Sequence, residues 1–204
     1  MRTFMEEEQL SLFDFSLPGL VCGCDEAGRG PLAGPVVVAA CILPEDFDTS
    51  LLNDSKKLSE KRRFELEPLI RQEAVDFSIV FIDQYEIDRV NILRATLDGM
   101  RRCYEDISSR HMISTYYVDG NRTPLIENAN VVTVVGGDAK IAQIMAASIL
   151  AKTARDRYMV QEAEKYPLYG FEKHKGYGTK AHYEAIKKYG PCPLHRLTFL
   201  KKLH

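Results

Sequence analysis

Asp25, Glu26, Asp119 and Asp138 are the residues of this chain best placed to do chemistry. Each stands at or just past the close of a short apolar run. Leu20–Asp25 leads into the first two, Thr115–Val118 into Asp119-Gly120, and Val131–Val135 into Gly136-Gly137-Asp138. Apolar runs of this length, closed by glycine, read as buried strands. In open α/β sheets, sites form outside the carboxyl ends of strands. If the three strands are neighbours, the four acids converge. Clustered carboxylates repel one another and resist ionisation unless a cation is present. A donor set without His or Cys suits Mg²⁺ or Mn²⁺. Two such ions about 4 Å apart can activate a water and stabilise the leaving oxygen of a phosphodiester. The competing reading is that Asp25 and Asp119 simply cap turns.

The elements that must position these acids follow from the same punctuation. Leu20–Asp25 breaks at Gly28-Arg29-Gly30-Pro31, and Pro35–Leu43 is continuously apolar, as a strand covered on both faces would be. A helical pattern near 56–74 precedes a strand over Val75–Ile82. One helix is expected across Asp83–Ser108, from the spacing of Ile87, Val90, Leu97, Met100 and Tyr104. An alanine-rich helix over Ile141–Lys165 follows the last strand, then a basic loop and one helix near 179–189. Such alternation argues an α/β fold, a mixed sheet covered by helices. Residues 1–18 read as a flexible tail, and 19–204 as one domain whose C-terminal part is helical and basic.

The 204 residues carry a net charge of -2, but unevenly. Residues 152–204 hold 12 Lys/Arg against 5 Asp/Glu, and residues 1–151 hold 15 against 24. A basic third can meet a polyanion, or can be an ordinary solvated surface. The chain shows no membrane-length apolar run and no secretory signal, which leads to the expectation of a cytoplasmic protein. Cys22, Cys24 and Cys41 sit in apolar runs and read as core thiols; without a CxxC pair, zinc is not expected. Gly23-x4-Gly28 lacks the Lys-[Ser/Thr] of a P-loop, and Gly28-x-Gly30-x3-Gly34 has the wrong spacing for a dinucleotide fingerprint.

The run Cys24-Asp25-Glu26-Ala27-Gly28-Arg29-Gly30-Pro31-Leu32-Ala33-Gly34-Pro35-Val36 resembles the signature of the type 2 ribonucleases H (ribonuclease HII) of bacteria. The resemblance continues in order through Asn53-Asp54-Ser55-Lys56-Lys57-Leu58, Val118-Asp119-Gly120-Asn121, Gly137-Asp138, Ala146–Lys152 and His174–Thr179. It implies a ribonuclease H-like fold with a central five-stranded mixed sheet flanked by helices. It implies that Asp25, Glu26, Asp119 and Asp138 bind the catalytic metals. It also implies cleavage of the RNA strand of RNA–DNA hybrids, and incision 5′ of single ribonucleotides in duplex DNA, leaving 3′-OH and 5′-phosphate.

Several further residues take roles from this resemblance. The Gly28-Arg29-Gly30 turn, whose glycines allow close backbone approach, would read the 2′-OH that marks a ribose. Arg29 would contact the phosphate, and Tyr177 would stack on the following deoxyribose. Taken alone, the turn reads better as a simple chain reversal. Ser148 would lie near the substrate phosphate. Lys56, Lys57 and Lys175 are phosphate-binding candidates or solvated charges. Ser148, Lys152 and Asp156 share a helix face, where Asp156 is expected to pair with Lys152. His174 is expected to order the basic loop. Gln9-Leu10-Ser11-Leu12-Phe13 resembles the peptide by which bacterial repair proteins dock on the sliding clamp; stapling of the tail to the domain's own core is the alternative. A monomer is expected. A non-catalytic duplex binder and a different two-metal nuclease, such as a junction resolvase, are the competing functions.

Overall fold

In the computed structural model, residues 19–52 and 58–201 are described. The 1–18 tail with Gln9–Phe13, the segment Asn53–Lys57 that includes Lys56, and the last three residues lie outside them. Five strands form one mixed sheet in the order β3-β2-β1-β4-β5. These are β1 (Leu20–Ala27), β2 (Val36–Ile42), β3 (Asp76–Ile82), β4 (Ile113–Asp119) and β5 (Val131–Val134). β1 runs antiparallel to β2 and parallel to β4, and β4 runs parallel to β5. β1 and β4 therefore deliver their C-terminal ends side by side.

Helices cover both faces, so β2 (VVVAACI) is buried along its whole length. Helix α3 (Ile92–Ser108) packs on one face, where Cys22, Cys24, Val36 and Val38 meet Met100, Cys103 and Ile107. Helix α4 (Ala142–Lys165) packs on the other, where Ala39 and Cys41 meet Ala146, Ala147 and Leu150. Helix α1 (Glu60–Glu73) adds Leu66 and Ile70 to that layer. Each fully buried Ile or Leu contributes about 2 kcal/mol of transfer free energy. The alanines let α4 lie so close that a methyl group on Gly23 of β1 would stand 2.4 Å from its backbone at Gln143–Ile144. The cysteines expected in the core are there as free thiols.

The helix expected across Asp83–Ser108 is two helices, α2 (Gln84–Val90) and α3. Asn91 separates them at φ 73° and ψ 162°, a strained conformation otherwise left to glycine. Its backbone N–H closes α2 on Ile87, and its side-chain oxygen accepts from Arg94 N at 3.1 Å to open α3. The C-terminal part carries three helices instead of one: α5 (Phe171–His174), α6 (Lys180–Tyr189) and α7 (Leu197–Leu200). Their core is Met159, Tyr169, Phe171 and Leu194. No helix among the described residues is long and apolar enough to cross a membrane.

Candidate active site

β1 continues through Asp25 and Glu26, which pair with Ala39 and Val38 of β2. They lie within the strand, so their side chains leave opposite faces of the sheet. Cys22 and Cys24 face α3, which puts Glu26 on the α3 side. Asp25 belongs to the α4 side, where Ser148 donates a hydrogen bond to it. Asp119 ends β4, and its Oδ1 accepts from Gly137 N at 2.7 Å. That bond ties β4 to the short 3-10 turn Gly137–Ala139, which buries Asp138.

Asp25 is only 5% exposed. Burial pushes its carboxyl up to about 8, and the nearby charges of Glu26 and Asp119 push the same way. Burial likewise raises Glu26, with Asp119 adding to it and Arg29 opposing. Asp25, Glu26 and Asp119 thus share one electrostatic field, while Asp138 is tied to it through the bond of its neighbour Gly137 to Asp119. Among the described residues, no three His, Cys, Asp or Glu side chains form a ready-made ion-ligating group. The donors nevertheless suit a hard divalent cation in kind, and a cation there would offset the burial and the carboxylate repulsion that together raise Asp25.

The acids are flanked by two clefts. A smaller one, of about 90 Å³, is lined by Glu26, Arg29, Thr96, Asp119 and Asn121. A larger one, of about 540 Å³, is lined by Gly28, Arg63, Lys152, Lys173, Lys175 and Tyr177 among others, and is basic. Ser148 is fully buried between the two chemistries, receiving a 2.7 Å bond from Lys152 Nζ and donating to Asp25. The expected Asp156–Lys152 pair is not formed. Lys152 goes to Ser148, and Asp156 instead meets Arg63 of α1 at 3.2 Å. Helix spacing brings i and i+4 within reach, but Lys152 Nζ is taken by Ser148, and Asp156 accepts from one nitrogen of the half-buried Arg63 instead. Arg29 is paired with Glu26 at 3.2 Å. Lys175 lies 3.5 Å from Glu60 and donates to the Glu172 carbonyl. His174 orders the basic loop as expected: its ring bonds the Tyr169 carbonyl at 2.8 Å and accepts from Gly176 N at 3.2 Å.

The Gly28–Gly30 turn faces Tyr177. A methyl group on Gly30 would meet Tyr177 Cε1 at 3.9 Å and nothing nearer, and the Tyr177 ring is 49% exposed. What holds the turn is a pair of buried arginines that the sequence reading did not single out. Arg155 of α4 donates to the carbonyls of Pro35, Ala33 and Lys175 and lies 5.7 Å from the Tyr177 ring centre. Arg196 donates to the carbonyls of Gly34, Arg29 and Gly28 at 2.9, 3.0 and 2.6 Å. Burial pulls the Arg196 guanidinium down to about 9, which leaves it charged at neutral pH. Backbone carbonyls take the place of carboxylates as its partners.

The family model described as ribonuclease HII matches residues 22–203. A ribonuclease HII of Endomicrobium trichonymphae is 53% identical over 179 residues, which is 88% of this chain and 84% of that protein. Among solved structures, the ribonuclease HII in a PCNA:RNase HII complex from Archaeoglobus fulgidus superposes with a TM-score of 0.75. It is 25% identical and covers 87% of this chain and 94% of its own. A ribonuclease H2 from Pyrococcus horikoshii is 28% identical, with a TM-score of 0.67, over 87% of this chain and 92% of its own. The sheet order, the strand-end acids and these likenesses agree: the chain belongs to the ribonuclease HII family, endoribonucleases that hydrolyse the RNA of RNA–DNA hybrids.

Proposed function

We propose that this ribonuclease H also incises duplex DNA on the 5′ side of a single embedded ribonucleotide, leaving 3′-OH and 5′-phosphate. The observation that carries this is the placement of the Gly28–Gly30 turn, directly after the acids of β1, opposite the exposed ring of Tyr177. In this reading the backbone of the turn hydrogen-bonds the ribose 2′-OH, and Tyr177 stacks on the next sugar, where a deoxyribose fits. Arg29 shifts from Glu26 to a substrate phosphate. Lys152 and Lys175 supply positive charge along the larger cleft, Ser148 holds Asp25 in place, and Lys56, which lies outside the described residues, contacts a substrate phosphate.

Asp25, Glu26, Asp119 and Asp138 would hold Mg²⁺ or Mn²⁺, two ions during catalysis. Bound there, the ions would activate water and stabilise the leaving oxygen. The chain's own part is to bring the carboxylates together; Glu26 must exchange its bond to Arg29 for that role. Residues 19–204 act as one catalytic domain, working as a monomer in the cytoplasm. The tail peptide Gln9–Phe13 docks on a sliding clamp, a reading supported by the Archaeoglobus fulgidus relative's complex with PCNA.

A DNA duplex carrying one ribonucleotide, with Mg²⁺ or Mn²⁺ and then with chelator, tests the central claim. Metal-dependent cutting 5′ of the ribonucleotide is the expected result. Cutting of long hybrids alone would remove the junction-reading role of the turn and Tyr177.

A further inference from the structure

We propose that Arg196 is a positioning residue for ribose recognition, fixing the direction in which the Gly28–Gly30 turn presents its backbone N–H groups. The proposal rests on the ribose-reading role of that turn given above. No peptide bond among the described residues is cis, and in a trans peptide the C=O and N–H point in opposite directions. The Gly28 carbonyl shares its peptide with the N–H of Arg29, and the Arg29 carbonyl shares its peptide with the N–H of Gly30. Both carbonyls accept from the Arg196 guanidinium, at 2.6 and 3.0 Å. Both N–H groups are therefore aimed away from a fully buried side chain, toward the surface on which Arg29 and Gly30 are exposed. The result is two consecutive donors facing one way.

Arg196 is itself held. Its backbone N–H donates to the Leu32 carbonyl at 2.8 Å, and its Nε donates to Gly34 O at 2.9 Å. The next two residues anchor on Asp88 of α2, which accepts from Leu197 N at 2.7 Å and Thr198 N at 3.1 Å. Arg196 cannot touch substrate, because no part of it reaches solvent. Lysine could replace the charge but not the fork that spans two successive carbonyls.

The test compares binding of the full chain to a duplex with one ribonucleotide and to the same duplex in all-DNA form, with Ca²⁺ in place of the catalytic ion. The readout is the ratio of the two Kd values, which a smaller folded fraction does not alter. R196K is expected to shrink the ratio about fivefold, the worth of one net hydrogen bond to the ribose. E67Q serves as the comparison: it breaks the buried Glu67–Arg157 pair far from the turn in sequence and is expected to lose stability yet keep the wild-type ratio. If R196K does not fold, D88A carries the test by loosening the segment after Arg196, and the ratio should again shrink. An unchanged ratio in the variant that folds, beside a discriminating wild type, overturns the role of Arg196 alone. A wild type that does not discriminate overturns the ribose-reading role of the turn and the proposal with it.

Discussion

Gly28 lies against Arg155 so closely that a methyl group on it would stand 2.0 Å from Nε of the guanidinium. The residue also sits at φ +92°, outside the range that side chains accept readily. A methyl group on Gly30, two positions on, would meet only the Tyr177 ring, at an ordinary contact distance of 3.9 Å. The two glycines of one motif therefore make different predictions. G28A should lose about 2 kcal/mol or more in urea unfolding, from backbone strain and overpacking of a buried arginine. G30A should unfold within about 0.5 kcal/mol of the parent and still cut poorly, since its methyl group enters the gap facing Tyr177. Equal stability losses in both variants would make the second glycine structural as well.

Asp25 carries the second prediction. Its carboxyl is raised to about 8 in the fold, from an unfolded value of 3.8. Between those values the folded state binds a proton that the unfolded state does not, so the contribution of Asp25 to stability falls as pH rises from about 4 to about 8. In chelator at pH 8, D25N removes a buried charge and should melt higher than the parent, while cutting no substrate. At pH 4 the difference should largely vanish. Added Mg²⁺ should raise the melting temperature of the parent and not that of D25N. A D25N protein that melts lower than the parent at pH 8 would count against an electrostatic penalty at this position.

The placement of Asp119 and Asp138 at the close of strands was legible because the chain marks each with an apolar run and a glycine; β1 instead runs on through Asp25 and Glu26 to Ala27, so the first two acids lie within the strand rather than at its end. Burial was harder to read. Two of the basic residues in the C-terminal third, Arg155 and Arg196, look in sequence like surface charge; both are buried on backbone carbonyls of the 28–35 loop and of Lys175. Nothing local announces such a partner, because any residue offers a carbonyl. Asp156 shows the same limit: its i-4 neighbour on the helix was Lys152, but its partner Arg63 stands 93 residues away. Asn91, by contrast, carried a signal: a residue suited to capping, set within an otherwise helical pattern.

Tyr177 is half exposed, so its ring adds little to the fold. Y177A should keep the parent's melting temperature within a few degrees, an exposed side chain being worth about 0.5 kcal/mol or less. If the ring stacks on the sugar that follows the ribonucleotide, the loss should be uneven across substrates. Incision at a single ribonucleotide should fall by about tenfold, because stacking contributes roughly 1–3 kcal/mol. Cleavage of a long hybrid should fall less. Y177F should restore both, and equal losses on the two substrates would assign the ring to general binding.

Acid stability depends on a chain of buried rings, His182 and His195, behind Tyr177. The Cys192 N–H can only donate, so Nδ1 of His195 accepts from it at 2.9 Å. The Tyr177 carbonyl can only accept, so Nδ1 of His182 donates to it at 2.9 Å. The remaining contact, 3.1 Å between the two Nε2 atoms, then has His195 donating to His182. Every position is filled with both rings neutral, and a proton added to either leaves two N–H groups facing each other. Burial pulls His182 down to about 4, and the charges of His174, stacked on it at 4.5 Å, and His195 act in the same direction. The unfolded value is 6.5, so the unfolded state takes up protons first as pH falls. Stability from this chain is complete above about pH 6.5 and is lost on going down toward pH 4. The wild type should lose on the order of 1–2 kcal/mol through His182 between pH 7.5 and pH 5. H182Q keeps a donor for the Tyr177 carbonyl without a titrating ring. It should be less stable than the parent at pH 7.5 but lose less on acidification, as urea midpoints at the two pH values will show. Parallel losses in both proteins would place the acid sensitivity elsewhere in the fold.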